Sequence, residues 1–185
     1  MTIIILLYSI GFAYKDKNTN NKQQIQTGHE KMEKYAYIVL NFEKFWKRLC
    51  SQNRGGKSAH AFVRRGIMGP KKAKQLFFYV THPRKEIKGY ADFVERVSGN
   101  ANDLWESLGH ESLLNSYDEY NSFLQGRRKS TFVRFRNLKE LPIPIEAKTF
   151  AQIIGKKRMP QQGMYITKEM AHQLLSAGGA ESTEP

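Results

Sequence analysis

Hydrophobic positions along this 185-residue chain follow two alternating periods, one typical of strands and one typical of helices. Runs rich in β-branched and aromatic residues predict five or six short strands, at residues 35–40, 60–65, 75–81, 87–97, 129–137 and 163–166. Apolar residues at helical spacing beside capping side chains predict short helices that begin near Asn41, Asn102, Ser116, Glu146 and Thr167. Strands and helices are therefore interleaved along the chain.

The same pattern predicts which elements are buried and where the sheet bends. Residues 75–81 form a continuous apolar run, which suits a central strand covered on both faces. Gly89 inside a strand predicts a bulge or a sharp bend. Regular β-α-β units with long crossover helices are absent from the sequence. It therefore predicts an α+β fold, in which short helices decorate a small, bent, mixed sheet or pseudo-barrel.

The domain is predicted to begin at Met32. Residues 1–14 are apolar but shorter than the roughly 20 residues that span a bilayer. Residues 15–31 are polar and low in complexity, which is typical of a disordered linker. Translation that begins at Met32 is favoured over an N-terminal membrane or partner anchor. Residues 32–177 are predicted to form one domain, and residues 178–185 a disordered tail.

Charge changes this picture, because the formal net charge of +13 lies almost wholly in one segment. Twelve Lys and Arg residues and no acidic residue lie between Glu43 and Glu86. The other residues carry 18 basic and 17 acidic side chains, from totals of 30 and 17. Since like charges repel in a folded protein, such a segment indicates a polyanionic partner, usually nucleic acid. Its core is the glycine-rich stretch from Arg54 to Lys74.

Two groups of basic residues are the candidate phosphate-binding sites. The first, in the acid-free segment, consists of Arg54, Lys57, Arg64, Arg65, Lys71, Lys72 and Lys74. The second lies just before and within the predicted strand at residues 129–137 and consists of Arg127, Arg128, Arg134 and Arg136. A solvated basic surface is the alternative for the first group, and charges that block edge pairing are the alternative for the second. Phe132 and Tyr90 are candidates for base stacking, whereas Trp46 and Trp105 are expected in the core.

Catalytic candidates are few. His60, Glu86 and Lys57 could supply the acid, base and cation that a metal-independent ribonuclease needs. The single cysteine, Cys50, excludes an internal disulfide and fits a reducing cytoplasm. No Cys/His spacing suits zinc, and no nucleotide-binding or hydrolase motif occurs. Neither a metal nor a cofactor is predicted.

Several stretches resemble the PUA-like superfamily, which includes the ASCH, EVE and YTH domains. The likeness rests on YAYIVLNFEKFW, LFFYVTHPRKEIKGYADFVERV, DLWESLG, GRRKSTFVRFRNL with ELPIPI, and GMYITKEMAHQLL. It covers about residues 33–177, and the closing stretch looks most like an uncharacterised archaeal branch. The resemblance implies a pseudo-barrel with a cleft that binds RNA or modified nucleic acid.

The leading hypothesis from the sequence is an RNA-binding or nucleic-acid-binding domain. The basic patch would hold phosphates, and a cleft in the barrel would read a base of a modified or structured RNA. DNA stays open as a partner, and a membrane is not expected. Two alternatives are kept, a metal-independent ribonuclease and a protein-interaction module that meets an acidic partner.

Overall fold

The computed structural model describes residues 34–157 and 159–180. The predictions made for residues 1–31 and for the start at Met32 lie outside these residues. In chain order the elements are β1 (Ala36–Asn41), α1 (Glu43–Arg54), β2 (Ala59–Arg65), β3 (Gln75–Val80), β4 (Glu86–Asn100), α2 (Ala101–Leu108), a 3-10 turn (Gly109–Glu111), α3 (Tyr117–Leu124), β5 (Lys129–Glu146), α4 (Ala147–Ile153), β6 (Met164–Ile166) and α5 (Lys168–Ala177).

The strands in the described ranges form one open mixed sheet in the order β2-β5-β4-β3-β1-β6. β1 runs parallel to β3, with Ile38 beside Phe77, and every other neighbouring pair is antiparallel. The predicted α+β class and the mixed sheet are confirmed. β2 lies at one edge of this sheet, and β1 lies next to the strand at the other edge. The curvature of the sheet therefore decides whether β1 and β2 come close to each other.

The sheet bends at Gly89, as the sequence predicts. The register of β4 shifts against β3 and β5 around this residue. A Cβ atom at Gly89 would lie 2.5 Å from both the Trp46 ring and the Lys139 carbonyl oxygen. Glycine is therefore needed here, because it lets α1 and β5 approach the bend closely. Trp46 itself is buried in the core, as expected.

Three hydrophobic clusters fill the two faces of the sheet. One joins β1 and β3 to α4 and α5 through Ile38, Phe77 and Phe150. A second lies inside the curve of the sheet and joins α1 to β1, β2, β3 and β5. A third packs α2 and α3 against β2 and β5 around Tyr120. β3 contributes to the first two clusters and is buried on both faces, which confirms the prediction for residues 75–81.

Several predicted boundaries differ from the structure. The N-cap of α1 is Phe42, since the Asn41 side chain accepts a hydrogen bond from the Phe42 backbone N–H at 2.9 Å and caps no later turn. The N-cap of α2 is Asn100 rather than Asn102. Ser116 and Thr167 cap α3 and α5 as predicted.

The C-terminal end of the described chain is tied to the sheet. The Gly178 N–H donates to the Leu174 carbonyl at 2.9 Å, and the Gly178 carbonyl accepts from the Ile143 N–H at 3.1 Å. Residues 181–185 of the predicted tail lie outside the described ranges. No helix in the described residues is both long enough and apolar enough to cross a membrane.

Candidate nucleic-acid interface

The curved sheet leaves a gap between β1 and β2, which are not hydrogen-bonded to each other as strands. One side chain bridges this gap, because the Arg64 guanidinium on β2 donates to the Leu40 carbonyl on β1 at 3.1 Å. A surface cleft of about 270 Å³ opens beside this bridge. Residues from four parts of the chain line it, among them Tyr37, Arg64, Pro70, Val133 and Gln162. The cleft therefore lies at the seam of the incomplete barrel, a location typical of ligand sites.

The loop from β2 to β3, residues 66–74, forms one wall of the cleft and is pinned along its length. Gly66 is held by Lys129 and Thr131, since its N–H donates to the Lys129 carbonyl at 3.0 Å and its carbonyl accepts from the Thr131 hydroxyl at 2.6 Å. The Gly69 carbonyl accepts from the Arg96 guanidinium at 3.3 Å. The Lys71 N–H donates to the Tyr165 hydroxyl at 2.8 Å. These bonds hold the backbone of the loop that carries Lys71, Lys72 and Lys74.

Tyr37 forms the opposite wall, next to the segment at residues 161–163. A Cβ atom at Gly163 would lie 2.6 Å from ring carbons of Tyr37, so only glycine allows this approach. The Tyr37 ring also meets the Tyr165 ring edge-on, with centroids 5.0 Å apart. Burial raises the pKa of the Tyr37 hydroxyl, and the nearby Arg64 cation opposes this change. The hydroxyl is therefore a neutral hydrogen-bond donor at physiological pH.

Arg64 is the residue of the cleft with the clearest electrostatic signature. Its guanidinium lies over the Phe62 ring, 5.5 Å from the centroid, and the residue as a whole is half-buried. Burial lowers the pKa of this guanidinium from its ordinary value. None of the ion pairs within residues 34–157 and 159–180 involves Arg64. A half-buried cation without a carboxylate partner is a candidate anion-binding group.

Six of the predicted phosphate-binding residues are exposed and make no ion pair within the described part of the chain. They are Lys71, Lys72, Lys74, Arg127, Arg128 and Arg136. The bond from Gly66 to Lys129 brings the loop lysines and the arginines before β5 to the same end of β2. Arg136, by contrast, pairs with Ala59 at the other end of β2.

Other members of these groups are engaged by the protein itself. The Arg54 guanidinium donates to the Glu140 carboxylate at 2.6 Å. Arg134 is held by two carboxylates, with a fork to Glu111 at 2.6 and 2.7 Å and a further bond to Glu95. The neighbouring guanidinium lowers the pKa of the buried Glu111 carboxyl. The charges of Arg54 and Arg134 are therefore largely neutralised.

Arg65 and Lys57 are bound by neutral acceptors. Arg65 donates to the Phe123 carbonyl at 2.5 Å and to the Gln125 side chain at 2.8 Å. Lys57 donates to the Ser112 carbonyl at 2.9 Å and to the Gln52 side chain at 3.2 Å. Burial lowers the pKa of the Lys57 ammonium. These contacts tie the side chains to α3 and to the segment before it.

None of the three catalytic candidates, His60, Glu86 and Lys57, lines the cleft. His60 is fully buried, is stacked on Phe135 with centroids 5.6 Å apart, and has a pKa that burial lowers to about 4. Glu86 lies at the start of β4 beside Lys88, whereas β2 carries His60. No group of three or more His, Cys, Asp or Glu side chains with metal-binding geometry occurs among the residues described.

The two aromatic stacking candidates also differ from expectation. Phe132 is fully buried against Tyr120, with centroids 5.9 Å apart, so it offers no face to a base. Tyr90 is half-buried beside Phe77 and lies under Lys139. An exposed aromatic ring at the cleft is instead Phe42, although Phe42, Phe45, Trp46 and Leu49 have the i, i+3, i+4, i+7 spacing that predicts one buried helix face. Phe42 is 61% exposed because it precedes the first turn of that helix.

Residues that sequence reasoning missed complete the cleft. Tyr37 reads as part of a buried strand, and Gln161 and Gln162 read as an ordinary loop. Arg96, which holds the Gly69 carbonyl, reads as a surface charge on β4. The acid-free segment was the one feature of the sequence that indicated this site. Of the residues at the cleft and on its loop, it indicated only Arg64, Lys71, Lys72 and Lys74.

Comparisons with known proteins agree with this architecture. No family model matches the chain. An ASCH domain-containing ribonuclease from Zymomonas mobilis is 28% identical over 139 residues, which cover 75% of this chain and 89% of that protein. The crystal structure of ASCH from Zymomonas mobilis covers 78% of this chain and 96% of its own, with 26% identity and a TM-score of 0.64.

A mutant of the same Zymomonas mobilis protein matches with 27% identity and a TM-score of 0.63, over 77% of this chain and 96% of that one. These relatives are bacterial and do not support the archaeal branch of the resemblance. They do support the resemblance to the PUA-like superfamily, which includes the ASCH domain. The chain is therefore similar in sequence to these ASCH proteins, and its fold matches the ASCH, PUA-like fold.

Proposed function

We propose that this chain is an RNA-binding domain that holds the phosphate backbone at the cleft between β1 and β2. The observation that carries this proposal is Arg64, a half-buried cation that lines the cleft and has no carboxylate partner in the described residues. Lys71, Lys72 and Lys74 extend the positive charge outward along one rim. RNA is favoured over DNA because the Zymomonas mobilis relative is a ribonuclease.

The pattern of engaged and unengaged cations defines the interface. Arg54 and Arg134 face carboxylates, so an incoming phosphate would compete with an existing ion pair at either residue. The loop lysines have no such competitor among the described groups. Binding would therefore run along the loop and the end of β2, and it would weaken steeply with salt because it releases counterions.

The experiment compares two double charge reversals by fluorescence anisotropy with a labelled 12-nucleotide single-stranded RNA. Lys71→Glu with Lys72→Glu reverses charge at the rim of the cleft. Lys148→Glu with Lys156→Glu changes the net charge equally, on exposed residues that line another surface at α4. The rim variant should weaken binding by at least tenfold and make the salt dependence shallower by about 0.7 per lost phosphate contact. The α4 variant should stay within about threefold of wild type.

Equal losses in the two variants would show that only net charge matters and would refute a cleft-centred interface. Wild-type protein that binds no RNA at low salt would refute RNA binding itself. A single-stranded DNA of the same sequence distinguishes the sugar. Preference for DNA would overturn the assignment to RNA while leaving the anion-binding cleft in place.

A metal-independent ribonuclease is the second candidate, favoured by the relative and by the Tyr37 hydroxyl in the same cleft as Arg64. A cation could stabilise charge on the phosphate, and a phenol could donate a hydrogen bond to it. RNA incubated with the protein in EDTA tests the activity, and Tyr37→Phe and Arg64→Met should abolish it. Cleavage that survives in both variants would exclude this cleft as the catalytic site.

A further inference from the structure

The loop between β2 and β3 carries two large apolar side chains at its tip. Ile67 is 62% exposed and Met68 is 55% exposed, and the two residues are consecutive in the chain. Met68 lines the cleft together with Arg64. A single exposed apolar side chain needs no explanation, but each of these two would gain stability if it were covered. Two such neighbours beside a cleft therefore indicate a surface that a ligand covers.

The backbone beneath this tip is held by one buried side chain of β5. The Thr131 hydroxyl donates to the Gly66 carbonyl at 2.6 Å and accepts from the Met68 N–H at 3.3 Å. The Ser98 hydroxyl lies 2.8 Å from the same oxygen, and it is the donor in this contact because Thr131 has given its only proton to Gly66. Binding does not have to order this backbone, which favours affinity.

Two glycines build the turn on either side of the tip. Gly66 has a φ of 70° and Gly69 has a φ of 99°, both in the left-handed region that glycine favours. A Cβ atom at Gly69 would lie 2.8 Å from a Val133 methyl group, so the backbone there lies directly against β5. Both ends of the tip are therefore anchored on β5, and the side chains between them are left in solvent.

The surroundings of the tip are strongly basic. Four exposed cations lie on the loop after the tip or in the segment before β5, and none of them forms an ion pair within the described ranges; they are Lys71, Lys72, Arg127 and Arg128. The partner must therefore be a polyanion that also offers apolar surface. RNA meets both needs, because phosphates alternate along its strand with bases whose flat faces are apolar.

We propose that Ile67 and Met68 insert between two neighbouring bases of the bound strand and separate their stack. This inference rests on the proposed RNA binding and adds the way in which the bases are contacted. Isoleucine and methionine are among the apolar side chains that nucleic-acid-binding proteins place between base steps. Since Met68 and Arg64 line the same cleft, a phosphate held by Arg64 lies beside the separated bases.

The chemistry of the tip also sets the sequence preference. Neither side chain has a strong hydrogen-bonding group, so the tip reads no base edge. Base steps that stack weakly cost least to open, and pyrimidine steps stack more weakly than purine steps. Oligouridylate should therefore bind more tightly than oligoadenylate of equal length, and the reverse order would contradict the insertion.

Fluorescence of 2-aminopurine tests the insertion directly, because stacking quenches this base. A 12-nucleotide oligoadenylate with 2-aminopurine at alternating positions brings a reporter to the tip in every register. Saturating wild-type protein should raise the fluorescence above that of the free RNA. Ile67→Ala with Met68→Ala should abolish this rise and weaken binding by about fivefold or more. The salt dependence should stay unchanged, because the variant removes no cation.

Two further variants control for the loss of apolar surface. Ile143→Ala removes an isoleucine that is 60% exposed and does not line the cleft, so it should behave as wild type. Ile67→Leu with Met68→Leu keeps the apolar bulk and should keep the rise in fluorescence. Equal losses in Ile143→Ala, or loss of the rise in the leucine variant, would contradict insertion by the tip.

The outcomes separate this inference from the proposed function. Wild-type protein that binds no RNA would refute RNA binding itself. Bound RNA whose fluorescence does not rise, or rises equally with the alanine variant, would refute the insertion while leaving phosphate binding intact. A shallower salt dependence in the alanine variant would show a lost phosphate contact instead, and would also overturn the insertion.

Discussion

His60 offers the sharpest test of the electrostatics, because its imidazole is fully buried and burial lowers its pKa from 6.5 to about 4. The Lys57 cation lowers this pKa further, whereas Glu111 raises it slightly. Its Nε2 lies 3.4 Å from the side-chain Oδ1 of Asn53, and its Nδ1 has no hydrogen-bond partner in the described residues. A proton added at Nδ1 would thus be a charge in the core.

The magnitude follows from proton linkage. Below pH 6.5 the unfolded chain binds a proton at this histidine, and the folded chain does so only near pH 4. The neutral imidazole therefore adds no penalty to the free energy of unfolding at neutral pH. The free energy of unfolding falls as the pH drops from about 6.5 to about 4. Between pH 7 and pH 5 the loss is about 2 kcal/mol, and it approaches about 3 kcal/mol below pH 4.

The assay is urea unfolding at pH 7 and pH 5, followed by circular dichroism, on wild type and His60→Leu. The variant removes the titrating group, so its free energy of unfolding should fall by about 2 kcal/mol less than that of wild type over this interval. His82→Leu, which removes an exposed imidazole, is the control and should keep the wild-type loss.

Equal losses in wild type and His60→Leu would refute the account of a buried, neutral imidazole. The same variant tests the catalytic hypothesis that the sequence suggested for His60. Since the ring is inaccessible, His60→Leu should bind RNA as wild type does and should keep any cleavage activity. Loss of cleavage in a folded variant would contradict this expectation.

Two further predictions concern the supports of the cleft. Arg134→Met leaves the buried Glu111 carboxylate without its fork and should lower stability by about 3 kcal/mol, whereas Arg54→Met removes an exposed pair and should leave stability nearly unchanged; thermal unfolding compares them. Gly69→Ala places a Cβ 2.8 Å from Val133 at a φ of 99°, so it should reduce both stability and RNA affinity. Gly126→Ala, at a φ of 76° in open space, should cost stability alone, and equal RNA affinity in the two variants would contradict the role of the loop wall.

Much of the fold could be predicted because local patterns carry it. The apolar run that became β3, the glycine bend in β4, and the caps at Ser116 and Thr167 all act within a few residues. Errors occurred where neighbours distant in sequence decided the outcome. Phe42 has the helical spacing of a core residue but lies just before the helix, and Phe132 alternates as an exposed residue but is covered by α3.

The sequence by itself determined the elements, the α+β class and the presence of one strongly basic segment, since these depend on periodicity and composition. Only the tertiary structure decided which Lys and Arg side chains are free of ion pairs in the described residues and so available to bind an anion. Arg54 pairs with Glu140, 86 residues away in sequence, and Arg134 pairs with Glu95, 39 residues away. Arg64 instead donates to a backbone carbonyl on β1 and forms no ion pair in the described residues. Charge pairing depends on distances of a few ångströms between strands that no local pattern encodes. The cleft arose for the same reason, because the curved sheet brings β1 and β2 together without joining them.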